Sequence, residues 1–273
     1  MKSNPNIDKQ QVHNFWNQAS CGEVLYLADT DQAGYASQAK ARYSLEGEMI
    51  FNLADFERSK GLKVLEVGVG LGADHQQFAE AGADLFGIDL TEHAIEHTQR
   101  RFAIFGLKSH LAVGDAENLE FADMVFDQVY SWGVLHHSPN TSIAVAEVWR
   151  VLKPGALASI MIYHKWSLVG LMLWVRYAFL RLQPLLTLNQ IYARYLESPG
   201  TKAYSVKEAR QMFKAFSEVH ISTPLTHGDL LESNVGQRHR GFVLTLVRKL
   251  WPRWLIRVFL PDAGLFMLIK AKK

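Results

Sequence analysis

KVLEVGVGLG, residues 63–72, predicts a strand that ends in a glycine-rich turn. Its apolar part, Val64–Val67, carries a single acid, Glu66, and is typical of a buried parallel strand. Alternate glycines follow, and a helical pattern begins at Ala73. Such a turn lets a ligand approach the backbone closely, beside the N–H groups at the start of the helix. Asp89 ends the next apolar run, where its carboxylate can accept hydrogen bonds from both hydroxyls of a ribose. The stretch therefore predicts a site for a cofactor that contains a nucleoside.

The glycine pattern alone leaves two classes of cofactor open. Gly68-x-Gly70-x-x-Ala73 satisfies the dinucleotide fingerprint, with an acid about 20 residues further on, so a nicotinamide nucleotide fits. Other features favour a different cofactor. Glu66 stands two residues before the first glycine, and Asp115 follows the third predicted strand at a position suited to an adenine amino group. The fourth strand leads into GVLHH at residues 133–137, and EVWRVLKPG follows at residues 147–155.

In this order, the blocks resemble those of the class I S-adenosylmethionine-dependent methyltransferases over about residues 40–163. The resemblance is greatest to the small-molecule branch that includes ubiquinone/menaquinone-biosynthesis-like enzymes. The sequence departs from the family pattern at Val69 and Ala156, where no polar contact is lost. The resemblance, together with the regular alternation of strands and helices, implies an α/β fold. We expect a doubly wound, Rossmann-like, seven-stranded, mostly parallel sheet with helices on both faces and additional helical cap insertions.

The resemblance implies S-adenosyl-L-methionine as the cofactor and a set of residues that bind it. Arg42 is expected to pair with the methionine carboxylate in a forked geometry, and the rings of Tyr35, Trp132 and Tyr163 can face the sulfonium cation. The predicted cofactor-binding residues are Tyr35, Arg42, Glu66, Gly68, Gly70, Gly72, Asp89, Leu90, Asp115, Ala116, Glu117, Ser131 and Trp132.

Four residues at strand ends are candidates for contact with the reacting centre. His136 and His137 follow the fourth strand, and Tyr163 and His164 follow the fifth. The resemblance places His136 beside the methionine end of the cofactor and predicts that His137 packs or caps the following helix. We expect no metal site. The i, i+4 pair His93 and His97 lies on the helix after Asp89 and is expected on a solvated face.

The predicted organisation has four parts. Residues 1–60 form an N-terminal helical flap, 61–164 the cofactor-binding core, 165–204 a helical cap, and 205–273 the remainder of the core with a helical insertion at about 225–263. In the last insertion, residues 241–260 are both apolar and basic. They fit either a packed helix with a cationic outer face or peripheral contact with an anionic membrane surface.

Composition limits the partners and leaves the reaction open. The chain of 273 residues has a net charge of +2 and no basic run comparable to a nucleic-acid-binding arm, so a nucleic-acid partner is not expected. One cysteine, Cys21, and an N-terminus without the apolar core of a signal peptide predict a cytoplasmic location. The oligomeric state is not predicted. The expected reaction is methyl transfer to a small, partly apolar acceptor. Three alternatives stay open: 3-amino-3-carboxypropyl transfer or cyclisation that releases methylthioadenosine, an NAD-dependent oxidoreductase, and a non-catalytic cofactor-binding module.

Overall fold

The computed structural model describes residues 9–232 and 249–273 and contains a seven-stranded sheet. The strands are β1 (Lys63–Val67), β2 (Asp84–Asp89), β3 (His110–Val113), β4 (Phe126–Trp132), β5 (Leu152–Tyr163), β6 (Glu218–Ser222) and β7 (Phe266–Lys272). Their order in the sheet is β3-β2-β1-β4-β5-β7-β6. Strands β1 to β5 pair in parallel, and β7 runs antiparallel to both β5 and β6. The predicted fold class, a seven-stranded and mostly parallel sheet with helices, is confirmed.

Helices precede β1 and connect the strands that follow it. They are α1 (Lys9–Trp16), α2 (Glu23–Tyr26), α3 (Gln32–Ala54), α4 (Ala73–Glu80), α5 (Glu92–Phe105), α6 (Thr141–Val151), α7 (Leu168–Trp174), α8 (Leu188–Tyr195), α9 (Val206–Met212) and α10 (Arg253–Phe259). Local sequence accounts for the ends of α5, because the Thr91 side chain accepts a hydrogen bond from Ala94 N and Gly106 closes the helix in a left-handed conformation. Ser205 and Glu208 form a capping box at the start of α9.

Alternating residues of the central strands pack into separate hydrophobic clusters. Leu65 and Val129 join the cluster that contains Val145 of α6, whereas their neighbours Val64 and Tyr130 join the other cluster. Successive side chains of a strand point to opposite faces of the sheet, so the two clusters cover its two faces. Both faces being buried explains why these strands carry almost continuous apolar sequence.

The predicted cap leaves the core at the end of β5 and returns to the same place. The Lys165 N–H donates to the Tyr204 carbonyl at 2.9 Å, and the Tyr204 N–H donates to the Tyr163 carbonyl at 2.9 Å. The cap is helical as predicted from Leu168, but its first helix is not uniform. Helix α7 changes into a π-helical turn at Val175–Phe179, and Leu182 takes a left-handed backbone conformation with φ of 57°. Because both ends of the cap are hydrogen-bonded next to Tyr163, the cap is anchored at the carboxyl end of the sheet.

The second insertion is anchored in a similar way. The Gly264 N–H donates to the Thr223 carbonyl at 3.1 Å, so the segment between β6 and β7 also begins and ends at one place. Within it, the buried carboxylate of Asp229 accepts hydrogen bonds from Leu265 N at 2.9 Å and from Val169 N at 3.1 Å. Asp229 thus joins this insertion to the cap. Of the predicted apolar and basic stretch 241–260, residues 241–248 lie outside the described residues.

Candidate active site

A large cavity lies at the carboxyl ends of β1, β2, β4 and β5, where the predicted site was expected. Its volume is about 1220 Å³, and its walls come from the glycine-rich turn, the segment before α3, the cap and the second insertion. Twelve predicted site residues line it, namely Arg42, Glu66, Gly68, Gly70, Gly72, Asp89, Leu90, Asp115, Ala116, Trp132, His137 and Tyr163. One cavity therefore brings most of the sequence-predicted residues together.

The glycine-rich turn forms one wall of the cavity, and two of its glycines have a left-handed backbone conformation. Gly68 and Gly70 have φ of 88° and 51°, values that favour glycine. A Cβ atom on Gly68 would lie 2.1 Å from the side chain of Val134, whereas one on Gly70 would meet no atom within 4 Å. Gly68 is thus required for packing against the segment after β4. Gly70 leaves open space, which suits the close approach of a ligand.

Three acids lie at the carboxyl ends of β1, β2 and β3, as the sequence predicted, but each has partners within the protein. Glu66 Oε2 lies 2.8 Å from His75 Nδ1, and burial raises the pKa of Glu66 well above the ordinary value. Asp89 accepts hydrogen bonds from Gly70 N at 3.1 Å and from the Thr91 hydroxyl at 2.9 Å. Burial also raises the pKa of Asp89.

The third acid, Asp115, is held between its own loop and helix α1. One carboxylate oxygen accepts from Glu117 N at 2.9 Å, and the other forms an ion pair with Lys9. Lys9 also lies 3.3 Å from the Glu117 carboxylate. The N-terminal segment therefore reaches the part of the cavity where the adenine contact was predicted. No local sequence pattern indicates a role for this lysine.

A buried ion pair supports the floor of the cavity. Asp74, the second residue of α4, accepts two hydrogen bonds from Arg42, at 3.0 Å to Nε and 2.6 Å to Nη2. The hydroxyls of Tyr43 and Tyr130 also donate to Asp74, at 3.1 and 2.8 Å. Burial alone would raise the pKa of Asp74, but Arg42 and the hydroxyl donors together hold it below its usual value. The forked face of Arg42 that was predicted to bind the methionine carboxylate is thus occupied by Asp74, while Nη1 lies 3.7 Å from Glu46.

His137, Tyr163 and the cap residue Glu197 meet at the other end of the cavity. The Tyr163 hydroxyl donates to Glu197 Oε2 at 2.7 Å, and His137 Nε2 lies 3.5 Å from the same oxygen. On its other side, His137 Nδ1 is 2.9 Å from the Ser198 hydroxyl and 3.3 Å from that of Thr201. Burial and the neighbouring Glu197 raise the pKa of Tyr163 well above its ordinary value, which keeps the phenol protonated. The sequence reasoning missed Glu197, because a contact between the cap and the fourth strand leaves no local pattern.

Two predicted catalytic histidines do not line the cavity. His136 is fully buried behind His137, with its ring centroid 4.1 Å from that of Tyr163, and burial lowers its pKa well below the ordinary value. His164 is also buried, and its Nδ1 lies 3.1 Å from the Gly264 carbonyl, at the base of the second insertion. The prediction that His136 faces the reacting centre while His137 packs is therefore reversed in the structure.

Three predicted cofactor-binding residues also point elsewhere. Tyr35 is fully buried, and its hydroxyl lies 3.0 Å from Nδ1 of His97. The Ser131 hydroxyl donates to the Val67 carbonyl at 2.9 Å, inside the sheet. Glu117 accepts a hydrogen bond from Asn140 N at 2.6 Å and lies outside the cavity lining. These predictions are corrected, because each side chain is already committed to a contact within the fold.

Comparison with known proteins agrees with this geometry. Residues 65–160 match the family model for a methyltransferase domain. Two curated relatives are a sterol 4-C-methyltransferase of Caenorhabditis elegans, 31% identical over 101 residues, and a fatty-acid O-methyltransferase of Mycolicibacterium smegmatis, 35% identical over 116 residues. These matches cover 36% and 42% of this chain, which spans only 30% and 41% of the respective relatives.

A solved structure extends the likeness of the fold beyond this domain. It is phospholethanolamine N-methyltransferase 2 of Haemonchus contortus in complex with phosphomonomethylethanolamine and S-adenosylhomocysteine. The TM-score is 0.57 at 20% identity, over 96% of this chain and 60% of that one.

Residues 65–160 are thus a methyltransferase domain, and the seven-stranded sheet that contains them has the fold of the class I S-adenosylmethionine-dependent methyltransferases. The predicted resemblance to this family is confirmed, and the domain implies S-adenosylmethionine as its cofactor. The matches do not single out the ubiquinone/menaquinone-biosynthesis-like branch, which stays a prediction.

Proposed function

We propose that this protein transfers the methyl group of S-adenosylmethionine to a small molecule with a large apolar part. One observation carries the proposal: a single cavity of about 1220 Å³ joins the glycine-rich turn and its acids to an apolar region beneath the cap. Pockets for a single drug-sized ligand usually measure about 300–1,000 Å³, so this cavity has room for more than a cofactor.

The cofactor fits the end of the cavity that contains the glycine-rich turn. The open space at Gly70 admits a ligand, and Asp89 beside it presents a partly buried carboxylate for the ribose hydroxyls. Asp115 would contact the adenine, sharing its carboxylate with Lys9. When bound, S-adenosylmethionine supplies a methyl group that is already activated by the positive charge on sulfur. The remaining task of the protein is to hold an acceptor in line with that group, which can contribute roughly 7–11 kcal/mol to lowering the barrier.

The acceptor end of the cavity is lined by residues of the cap and the second insertion. The side chains there are mostly aliphatic or aromatic. They include Leu171, Met172, Val175, Leu180 and Trp251, and Phe266 at the start of β7 adds to them. Burying a methylene group in such surroundings is worth about 0.8 kcal/mol. An acceptor with an alkyl chain or fused-ring body would therefore bind more tightly than a wholly polar one. The sterol and fatty-acid methyltransferases among the relatives support this class of acceptor.

His137 is the best candidate for accepting a proton from the acceptor. It lines the cavity, and its Nε2 forms no hydrogen bond within the part of the chain that the structure describes. The contacts of Nδ1 with Ser198 and Thr201 fix the orientation of the ring. Glu197 lies beside Nε2 and would stabilise the imidazolium that forms after proton transfer. This arrangement suits a hydroxyl or protonated amine acceptor, both of which must lose a proton during methyl transfer.

Product analysis tests this proposal. The protein is incubated with S-adenosylmethionine and a panel of sterols, fatty acids and polar amines, and both products are identified by mass spectrometry. We expect S-adenosylhomocysteine and an acceptor that is heavier by one methylene unit, found among the apolar compounds. Formation of methylthioadenosine would instead indicate aminocarboxypropyl transfer or cyclisation. Binding without any turnover across the panel would contradict the proposed transfer to this class of acceptor.

We also propose that the surface around α10 contacts an anionic membrane, which would give access to apolar acceptors. Trp254, Val258 and Phe259 are 67%, 63% and 71% exposed, and α10 packs through Ile256 against Leu168 at the start of α7. No helix in the described ranges, 9–232 and 249–273, is long and apolar enough to cross a bilayer. Peripheral contact needs only an apolar face beside cations, and α10 begins with Arg253.

A further inference from the structure

Two histidines and a glutamate converge between the N-terminal segment and α5, outside the cavity. His93 and His97 lie one turn apart on α5, and Glu23 is the first residue of α2. The ligand atoms of the three side chains all lie within 4.8 Å of one another. The sequence predicted a solvated face for the histidine pair, whereas the fold brings Glu23, 70 positions before His93, next to both rings.

The distances suit a small cation with three protein ligands. His93 Nε2 lies 2.7 Å from one oxygen of Glu23, and His97 Nε2 lies 3.3 Å from the other. In a tetrahedral zinc site with bonds of 2.0–2.1 Å, neighbouring ligand atoms are separated by about 3.4 Å. Small rotations of these partly exposed side chains would reach that geometry. Two imidazoles and one carboxylate form a ligand set that zinc takes in proteins, with the fourth position left to water.

The ring of His97 is held by a hydrogen bond on the side opposite Glu23, as is usual for a histidine that binds a metal ion. The Tyr35 hydroxyl lies 3.0 Å from His97 Nδ1, the ring nitrogen that faces away from Glu23. A hydrogen bond to the nitrogen opposite the metal fixes the ring and its tautomer. Glu23 is also held, because its carboxylate accepts a hydrogen bond from Ser20 N at 2.8 Å.

From this geometry, we propose that Glu23, His93 and His97 bind a divalent transition-metal ion such as Zn²⁺, which fastens the N-terminal segment over the cavity. The residues next to Glu23 explain the second part of the proposal. Gly22 and Val24 line the cavity. An ion bound by Glu23 and the two histidines of α5 would therefore hold Gly22 and Val24 in place at the wall of the cavity.

Calorimetry with ZnCl₂ tests the site on the untagged full-length protein in metal-free buffer. We expect one zinc ion per chain, with at least about tenfold weaker binding in each of Glu23→Gln, His93→Ala and His97→Ala. His220→Ala, on an exposed position of β6, is the matched control and should leave the affinity unchanged. Absence of zinc binding would overturn the proposal, and so would binding that survives the three substitutions or disappears in His137→Ala.

Hydrogen–deuterium exchange tests the effect of the ion on the N-terminal segment. We expect zinc to slow amide exchange at residues 20–27 in the wild type and to have no effect there in His97→Ala. Circular dichroism of each variant shows whether the fold is retained, and Glu23→Gln preserves the shape of the side chain. Zinc binding at these residues with unchanged exchange at 20–27 would refute the fastening role.

Discussion

Replacing Asp74 by asparagine is expected to destabilise the protein strongly. Asp74 is only 4% exposed and accepts four hydrogen bonds, two from Arg42 and one each from Tyr43 and Tyr130. Removing one partner of a buried ion pair typically costs about 3–5 kcal/mol, because the other charge stays buried without compensation. Glu46, 3.7 Å from Arg42, would compensate part of that charge, so we expect a loss near 3 kcal/mol.

Urea denaturation of wild type and Asp74→Asn measures this loss. For a chain of this size, a loss of about 3 kcal/mol corresponds to a fall of about 6–12 °C in the melting temperature. Glu218→Gln is the control, because its pair with Lys272 is more than two-fifths exposed on both sides and should change stability by less than about 1 kcal/mol. A loss below about 1 kcal/mol in Asp74→Asn would refute the assigned role of the buried pair.

The same pair predicts how the difference depends on pH. The folded state holds the pKa of Asp74 below its unfolded value of 3.8, so the ionised carboxylate contributes stability above that value. This contribution is lost as pH falls through the lower, folded-state pKa. The stability difference between wild type and Asp74→Asn should therefore be constant near neutral pH and shrink below about pH 4. A difference that grows on acidification would contradict the sign of this pKa shift.

Three further predictions concern the cavity and its surroundings. Asp89→Ala should weaken S-adenosylmethionine binding by about one to two orders of magnitude in calorimetry, because charge-assisted hydrogen bonds to the ribose are lost. The control Asp84→Ala, at the exposed start of β2, should leave the affinity unchanged. If Asp89→Ala binds the cofactor as tightly as the wild type, Asp89 does not contact the ribose. His137→Ala should lower kcat by about 10²–10⁴-fold with little change in cofactor affinity. Glu197→Gln should lower kcat less. Unchanged turnover in His137→Ala would exclude His137 as the base. The double substitution Trp254→Ser/Phe259→Ser should reduce co-sedimentation with anionic vesicles at least about tenfold relative to the control Ile143→Ser, an exposed position on α6. If the two variants sediment equally, α10 does not contact the membrane.

The sheet could be predicted from the sequence because the patterns that indicate it lie within short stretches of chain. A buried apolar strand, left-handed glycines and capped helices all depend on neighbouring residues, and these features recur in the structure from Lys63 to Gly106. The acids at the strand ends were predicted for the same reason, since the carboxyl ends of parallel strands share one edge. Their partners within the protein, such as Lys9 beside Asp115, come from distant segments and were not predicted.

The exchange of roles between His136 and His137 shows where such reasoning stops. Both residues lie in the short 3₁₀ turn Leu135–His137, where successive side chains point about 120° apart. A shift of one residue in that turn decides which ring faces the cavity, and nothing in the sequence fixes it. The cap raises the same difficulty, because its hydrophobic period predicts a helix but not the π-helical turn that interrupts it or the placement of Glu197 beside His137.

A crystal structure with bound S-adenosylhomocysteine would test the central claim most directly. We predict that the ribose hydroxyls lie within hydrogen-bonding distance of Asp89, that the adenine lies beside Asp115, and that the sulfur faces an apolar space between His137 and the cap. A ligand bound outside this cavity, or one that leaves no space beneath the cap for an acceptor, would contradict the account.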